Sequence, residues 1–167
     1  PLALGRLPNG EGFGLWAQRW HFGGRDYIQL IAEVVPANRS MGQVEQELNG
    51  GEYGSAQQLV KDLTAPVAVV GLLGCEHRPV VLLYGLIHRP IGRAFIKSDN
   101  QIEPFHEAAI PRELGVNGVL GYGFITTAAT LTLMSPQGST YYSETYPPPP
   151  RGRDCGDGSS MTYAFRH

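Results

Sequence analysis

Eight consecutive residues, Val80-Val81-Leu82-Leu83-Tyr84-Gly85-Leu86-Ile87, carry no charge. Two corners of the same composition bracket them, His77-Arg78-Pro79 before and His88-Arg89-Pro90 after. An unbroken apolar run of this length, stopped by proline at both ends, suits a strand in the middle of a sheet or packed on both faces. It is far short of the roughly 20 residues that span a bilayer as a helix. Its surroundings, Pro66 to Ala109, also hold Cys75 and three of the five histidines, and a polar turn at Ser98-Asp99-Asn100.

The rest of the chain fits a β fold. At 167 residues it is long enough for one domain with a buried core, and 42% of it is apolar. Charged residues are only 17%, while glycine (22) and proline (13) are abundant. Many turns and few long surface helices give that balance. Thirteen basic against fifteen acidic residues leave a net charge of −2, so no basic excess exists to displace counterions from nucleic acid. There is no Lys/Arg run to hold an anionic membrane either, and a membrane is expected only through an anchor lying outside this sequence. The chain begins at Pro1, and we read it as an excised domain or processed form.

In chain order, residues 1–12 read as a loop-like lead-in. Phe13 to His21, a turn at Phe22-Gly23-Gly24-Arg25-Asp26, and Tyr27 to Val35 read as a hairpin. In its second arm Ile28, Leu30, Ala32 and Val34 share one face. Pro36 to Gly54 is turn-rich. Ser55 offers an N-cap for one short helix near 56–63, with Leu59, Val60 and Leu63 on a face. Strands are then expected at Val67–Leu73, Val80–Ile87, Gly92–Lys97, Gln101–Ala109, Val119–Thr126, Thr130–Met134 and Ser139–Tyr146. Pro104 marks an edge, and Gly121 and Gly123 on one face mark a bulge or a close backbone approach. Pro147 to Pro150 is a polyproline spacer of about 12 Å, followed by a Gly/Asp/Ser tail, residues 151–167. The fold class is mostly β: a single antiparallel β-sandwich domain, residues 1–167, with a barrel as the alternative.

Residues 66 to 146 carry a resemblance. The apolar strand is followed by Val81-Leu82-Leu83-Tyr84-Gly85-Leu86-Ile87, by Ile91-Gly92-Arg93-Ala94-Phe95-Ile96-Lys97 with its Ser98-Asp99-Asn100-Gln101 turn, by Gly121-Tyr122-Gly123-Phe124-Ile125, and by Leu131-Thr132-Leu133-Met134-Ser135-Pro136-Gln137-Gly138. This order resembles β-sandwich domains of secreted or membrane-anchored proteins of actinobacterial type, including extracytoplasmic halves of some anti-sigma-factor-like proteins. Asn100-Gln101 stands where that pattern has an Asp-Gly turn, and Ser135-Pro136-Gln137 where it has an acidic turn. The resemblance implies an extracytoplasmic domain and brings no catalytic residue with it.

Cys75 and Cys155 are the only cysteines. A disulfide between them would tether the tail to the central sheet. Closing about 80 residues, it would contribute about 4.5 kcal/mol on the chain-entropy account, strain aside. An oxidising compartment suits such a pair; two free buried thiols are the alternative. Cys75-Glu76-His77 offers a metal too few ligands in the spacing zinc needs, so no metal or cofactor is expected.

The two His-Arg-Pro corners lie eleven residues apart, over 30 Å along a strand, and so cannot share one small site. Their bland reading, as strand starts and stops, is preferred. His21 and His106 sit beside aromatic residues, and a lone histidine there is more often structural than catalytic. Cys155-Gly156-Asp157-Gly158-Ser159-Ser160 departs from the serine-protease pattern in having Gly between Asp and Ser, and no Gly-x-Ser-x-Gly elbow occurs. Gly10-Glu11-Gly12-Phe13-Gly14 has no βαβ context for a phosphate loop. Trp16, Trp20, Tyr141, Tyr142 and Tyr146 are the candidate contact residues, set against the plain fact that most aromatics of a β domain are core. The function expected is a non-catalytic extracytoplasmic interaction or sensory domain, its partner a protein or small ligand. A secreted hydrolase and a carrier of a small apolar ligand are the alternatives.

Overall fold

The run Val80–Ile87 is a strand with every residue buried. Its side chains alternate between two cores. Val80, Leu82, Tyr84 and Leu86 join one, whereas Val81, Leu83 and Ile87 join the other. This alternation places the strand in a middle layer, and the rest of the architecture follows from it.

The computed structural model describes residues 2–43, 46, 55–60, 67–74, 78–87, 90–115 and 118–149. At residues 20, 22, 25–29, 31, 55–60 and 67–74 the description is of the backbone alone. Twelve strands occur there: β1 (Ala3–Arg6), β2 (Gly12–Phe22), β3 (Arg25–Val35), β4 (Ser55–Val60), β5 (Val67–Gly74), β6 (Val80–Ile87), β7 (Arg93–Lys97), β8 (Ile102–Pro104), β9 (His106–Ala109), β10 (Val119–Ile125), β11 (Ala129–Met134) and β12 (Thr140–Tyr146). They form three four-stranded sheets, in the orders β1-β2-β3-β4, β5-β6-β10-β9 and β12-β11-β7-β8. Every pairing is antiparallel. The described sheets do not close into a barrel.

The first core lies between the first sheet and the middle one. Phe13, Leu15, Leu30 and Ala32 meet Leu82, Tyr84, Leu86 and Leu120 there. The second core lies between the middle sheet and the third, where Leu83, Ile87 and Ile125 meet Ile96, Leu131, Leu133 and Tyr146. Each fully buried aliphatic side chain contributes about 1.5–3 kcal/mol relative to exposure, so β6 alone is a large share of what holds the layers together.

The mostly β expectation is met, with a third sheet added to the sandwich. The hairpin at the N-terminal end turns on Gly23 and Gly24, both at positive φ (59° and 75°). Two such residues make the tight turn whose twist matches its flanking strands, and Phe22 pairs with Arg25 across it.

Three segments differ from expectation. Residues 1–12 hold β1, paired to β2 from Ala3–Leu15 to Arg6–Gly12. Leu7, 3% exposed, anchors the turn that follows, where its N–H donates to the Glu11 carbonyl at 2.8 Å. The helix expected near 56–63 is absent from 55–60. That segment is β4, paired to β3 from Glu33–Ser55 to Ile28–Val60. A two-turn helix has almost no stability of its own. The open edge of β3 offers the same backbone a full ladder of hydrogen bonds, and this partner lies too far along the chain for local spacing to reveal.

Helical geometry appears instead at residues 41–43, just after Ser40. The Gln43 N–H donates to Ser40 Oγ (3.3 Å), and the Ser40 N–H donates to Gln43 Oε1 (2.9 Å). This reciprocal capping box satisfies two of the orphan donors at a helix start.

The stretch Gln101–Ala109, read as one strand, is two. It breaks at Phe105, where the chain leaves the third sheet as β8 and enters the middle sheet as β9. Cys75 and Cys155, the spacer's last residue Pro150 and the tail 151–167 lie outside the described residues.

Candidate functional site

A hairpin and a connection between two sheets come together at one end of the third sheet. The β7–β8 hairpin is closed by a hydrogen bond from Ser98 N–H to the Gln101 carbonyl at 3.0 Å. The β10–β11 connection is Thr126-Thr127-Ala128. Lys97 pairs with Thr130 in the β7–β11 register, so both turns project from the same end.

Between them is a cleft of about 320 Å³ lined by Ser98, Asp99, Asn100, Gln101, Glu103, Thr126 and Thr127, with Ile96, Phe124, Ile125 and Ala129. Its floor belongs to the second core: Ile96, Ile125 and Ala129 are 4%, 1% and 5% exposed. Its rim is hydroxyl, amide and carboxylate. Glu103 sits opposite Ile96 in the β7–β8 register and so shares the face of the sheet that Ile96 turns inward. The cleft is at the small end of the roughly 300–1,000 Å³ typical of ligand sites. Among the described residues, Asp99 and Glu103 are the only charged ones lining it, and both are acidic.

At the opposite end of the same sheet, Pro90, Ser135, Pro136, Gln137, Ser139 and Tyr141 line a groove of about 310 Å³. Gly92 lets its two walls meet, because a β-carbon there would stand 2.5 Å from the Ser135 carbonyl oxygen. Between the two ends, the outer face of the sheet is partly exposed. Arg93 lies over the Phe95 ring at 4.7 Å, and Ile102 is 57% exposed.

A third feature is an aromatic shelf on β9 and β10. His106 stacks at 5.1 Å on Tyr122, and Phe13 reaches across from β2 to Tyr122 (5.8 Å) and Phe124 (5.4 Å). His106 therefore has rings for neighbours, in keeping with the structural reading of a lone histidine.

The five aromatic residues singled out from the sequence do not form one surface. Trp16 is half-buried on the outer face of the first sheet, packed with Leu4 on Val35. Trp20 is described by its backbone alone, within β2. Tyr141 lines the proline groove. Tyr142 and Tyr146 turn toward the second core, and Tyr146 is 1% exposed. The register explains why: Tyr142, Glu144 and Tyr146 pair with Leu133, Leu131 and Ala129, all of which face inward.

These three residues form a hydrogen-bonded chain. The Tyr142 hydroxyl donates to Glu144 Oε2 at 2.6 Å and lies 2.8 Å from the Tyr146 hydroxyl. Burial first, then the bonds to Glu144 and Tyr146, pushes the Tyr142 phenol well above its ordinary range. Burial pushes Tyr146 up to about 12.

Sequence reasoning does not single out the cleft residues, because Ser98-Asp99-Asn100 reads there as a turn and nothing more. The available signal is two polar turns flanking apolar strands. Only the β7–β11 register shows that they share an end.

Comparison with protein families, with curated proteins and with solved structures finds no match.

Proposed function

We propose that this chain is a non-catalytic interaction or sensory domain that works outside the cytoplasm, as part of a secreted or membrane-anchored protein. The observation that carries the reading is the cleft at the hairpin end of the third sheet. An apolar floor from the core with a rim of convergent polar groups is a recognition site built on a rigid scaffold, and sandwich loops are where binding is usually placed. The rim holds hydroxyls, amides and two carboxylates. The setting comes from the resemblance of residues 66–146 to extracytoplasmic sandwich domains, and from the pairing proposed for Cys75 and Cys155. The carrier alternative asks for a closed barrel, and the described sheets remain open.

The setting is tested on intact cells that express the protein. A membrane-impermeant amine reagent should label it through exposed Lys97 while a cytoplasmic marker stays unlabelled. Labelling only after lysis would overturn the reading. The disulfide is tested by thiol titration of the unfolded protein with and without reductant. Two thiols before reduction would remove it.

A further inference from the structure

We infer that the cleft between the β7–β8 hairpin and the β10–β11 connection binds a small organic cation, an ammonium group carried on a short apolar or polyhydroxylated body. This rests on the reading of the cleft as a recognition site and names its ligand class.

The charge pattern selects the sign. Asp99 and Glu103 line the cleft, and among the described residues no Lys, Arg or His does. The nearest cation in sequence, Lys97, pairs with Thr130 and Ile102, in the register row adjoining the one that holds Ile96 and Glu103, so it stands on the opposite, outer face of the sheet. A carboxylate or phosphate entering the cleft would meet two like charges and, among the described residues, no compensating donor of full charge. A cation would meet two opposite ones in a concave site, where low-dielectric walls strengthen the field.

The donor set distinguishes an ammonium from a metal ion. An ammonium carries three N–H donors and no acceptor, so two carboxylates and one or two hydroxyl or amide oxygens satisfy it. Ser98, Asn100, Gln101, Thr126 and Thr127 supply those oxygens. Among the described residues no group of three or more His, Cys, Asp or Glu comes together as a metal would prefer. The apolar floor of Ile96, Ile125 and Ala129 is of no use to a hydrated metal ion. It suits a ligand whose charge is attached to a carbon body.

The experiment follows backbone amide NMR shifts of the 167-residue chain during titration with n-butylammonium, lysinamide and glucosamine. 1-Butanol, butyrate and N-acetylglucosamine serve as uncharged or anionic counterparts, and calcium as the metal arm. Saturable shifts confined to Ser98–Glu103 and Thr126–Thr127 are expected for the three cations. Binding should be about tenfold weaker or more for their counterparts, and severalfold weaker in high salt. The D99N/E103Q variant should keep a dispersed spectrum and lose about tenfold in affinity. A preference for lysinamide over glucosamine identifies an amino-acid or peptide source, and the reverse an amino sugar.

Equal binding of butanol and butylammonium at the cleft would overturn the ammonium class while leaving the recognition site standing. So would tighter binding of calcium. Shifts centred elsewhere, or none in the cleft with any probe, would overturn the cleft itself.

Discussion

The ring of Phe105 lies against the bare backbone of Gly123, where a β-carbon would fall 2.9 Å from Phe105 Cδ2 and 2.6 Å from Ile96 Cδ1. Gly121 is tighter still, with Ile87 Cδ1 at 2.6 Å and the Phe105 ring nearer than that. Phe105 is also the residue at which the chain passes from β8 to β9, its N–H donating to the Ala94 carbonyl at 3.2 Å. The two glycines of β10 thus make the socket that lets one chain segment serve two sheets.

Filling that socket should destabilise the fold. G123A and G121A are each expected to cost about 1–3 kcal/mol, the range for overpacking a core. Shrinking the ring should relieve part of the clash, so the pair G123A/F105L is expected to cost less than the sum of its single changes. Urea unfolding of the parent, the two single variants and the pair measures this coupling, and strict additivity would mean that ring and glycine do not act together.

Glu33 is 7% exposed, and its Oε2 is buried with no hydrogen-bond partner. Burial raises its pKa above the ordinary value of 4.5. The folded state therefore holds the proton more tightly than the unfolded chain does. Its stabilising contribution is complete below the unfolded pKa and is lost as pH rises through the folded one. E33Q should accordingly melt higher than the parent at pH 7, with the difference shrinking toward pH 4. Thermal melts across that range provide the check, and an unchanged difference would put the destabilisation elsewhere.

The Tyr142–Tyr146 pair acts at the other end of the pH scale. Tyr146 rises to about 12, with burial the largest cause, and Tyr142 is raised further. Both contribute stability below the ordinary tyrosine value of about 10, and that stability falls as pH climbs through the folded values. Alkaline unfolding is expected to coincide with a late step in the tyrosinate absorbance titration. In Y142F that step should shrink, and stability at neutral pH should drop by about 1–3 kcal/mol because Glu144 loses its donor.

The turn of the N-terminal hairpin gives a local test. Gly24 sits at φ 75°, and nothing stands within 4 Å of the point a β-carbon would occupy. Neighbouring atoms therefore do not constrain this position, and backbone conformation does. G24V should cost about 1–2 kcal/mol from the left-handed backbone alone, whereas G23N should be nearly neutral, since asparagine tolerates that region. Guanidinium midpoints of the two variants separate these outcomes.

Much of this architecture is legible locally. Val80–Ile87 announces a strand covered on both faces because no position in it tolerates water. Gly23-Gly24 announces its hairpin because few other residues enter that turn. The glycines of β10 signal a close approach, although nothing nearby in sequence says that Phe105 is what approaches. Ser55–Val60 misleads, because its helical spacing is a local fact and its pairing with β3 is not. Tyr142 and Tyr146 look like contact residues on a polar strand until the register with Leu133 and Ala129 turns them inward.

The sequence by itself determined the secondary-structure type, most strand positions and the central place of β6, since each depends on the period and chemistry of neighbouring side chains. The tertiary structure decided the third sheet, the change of sheet at Phe105, and the meeting of Ser98–Gln101 with Thr126 and Thr127 around one cleft. Those depend on which strands pair and in what register. Such pairing is fixed by burial summed over residues distant in the chain, and no single segment contains that information.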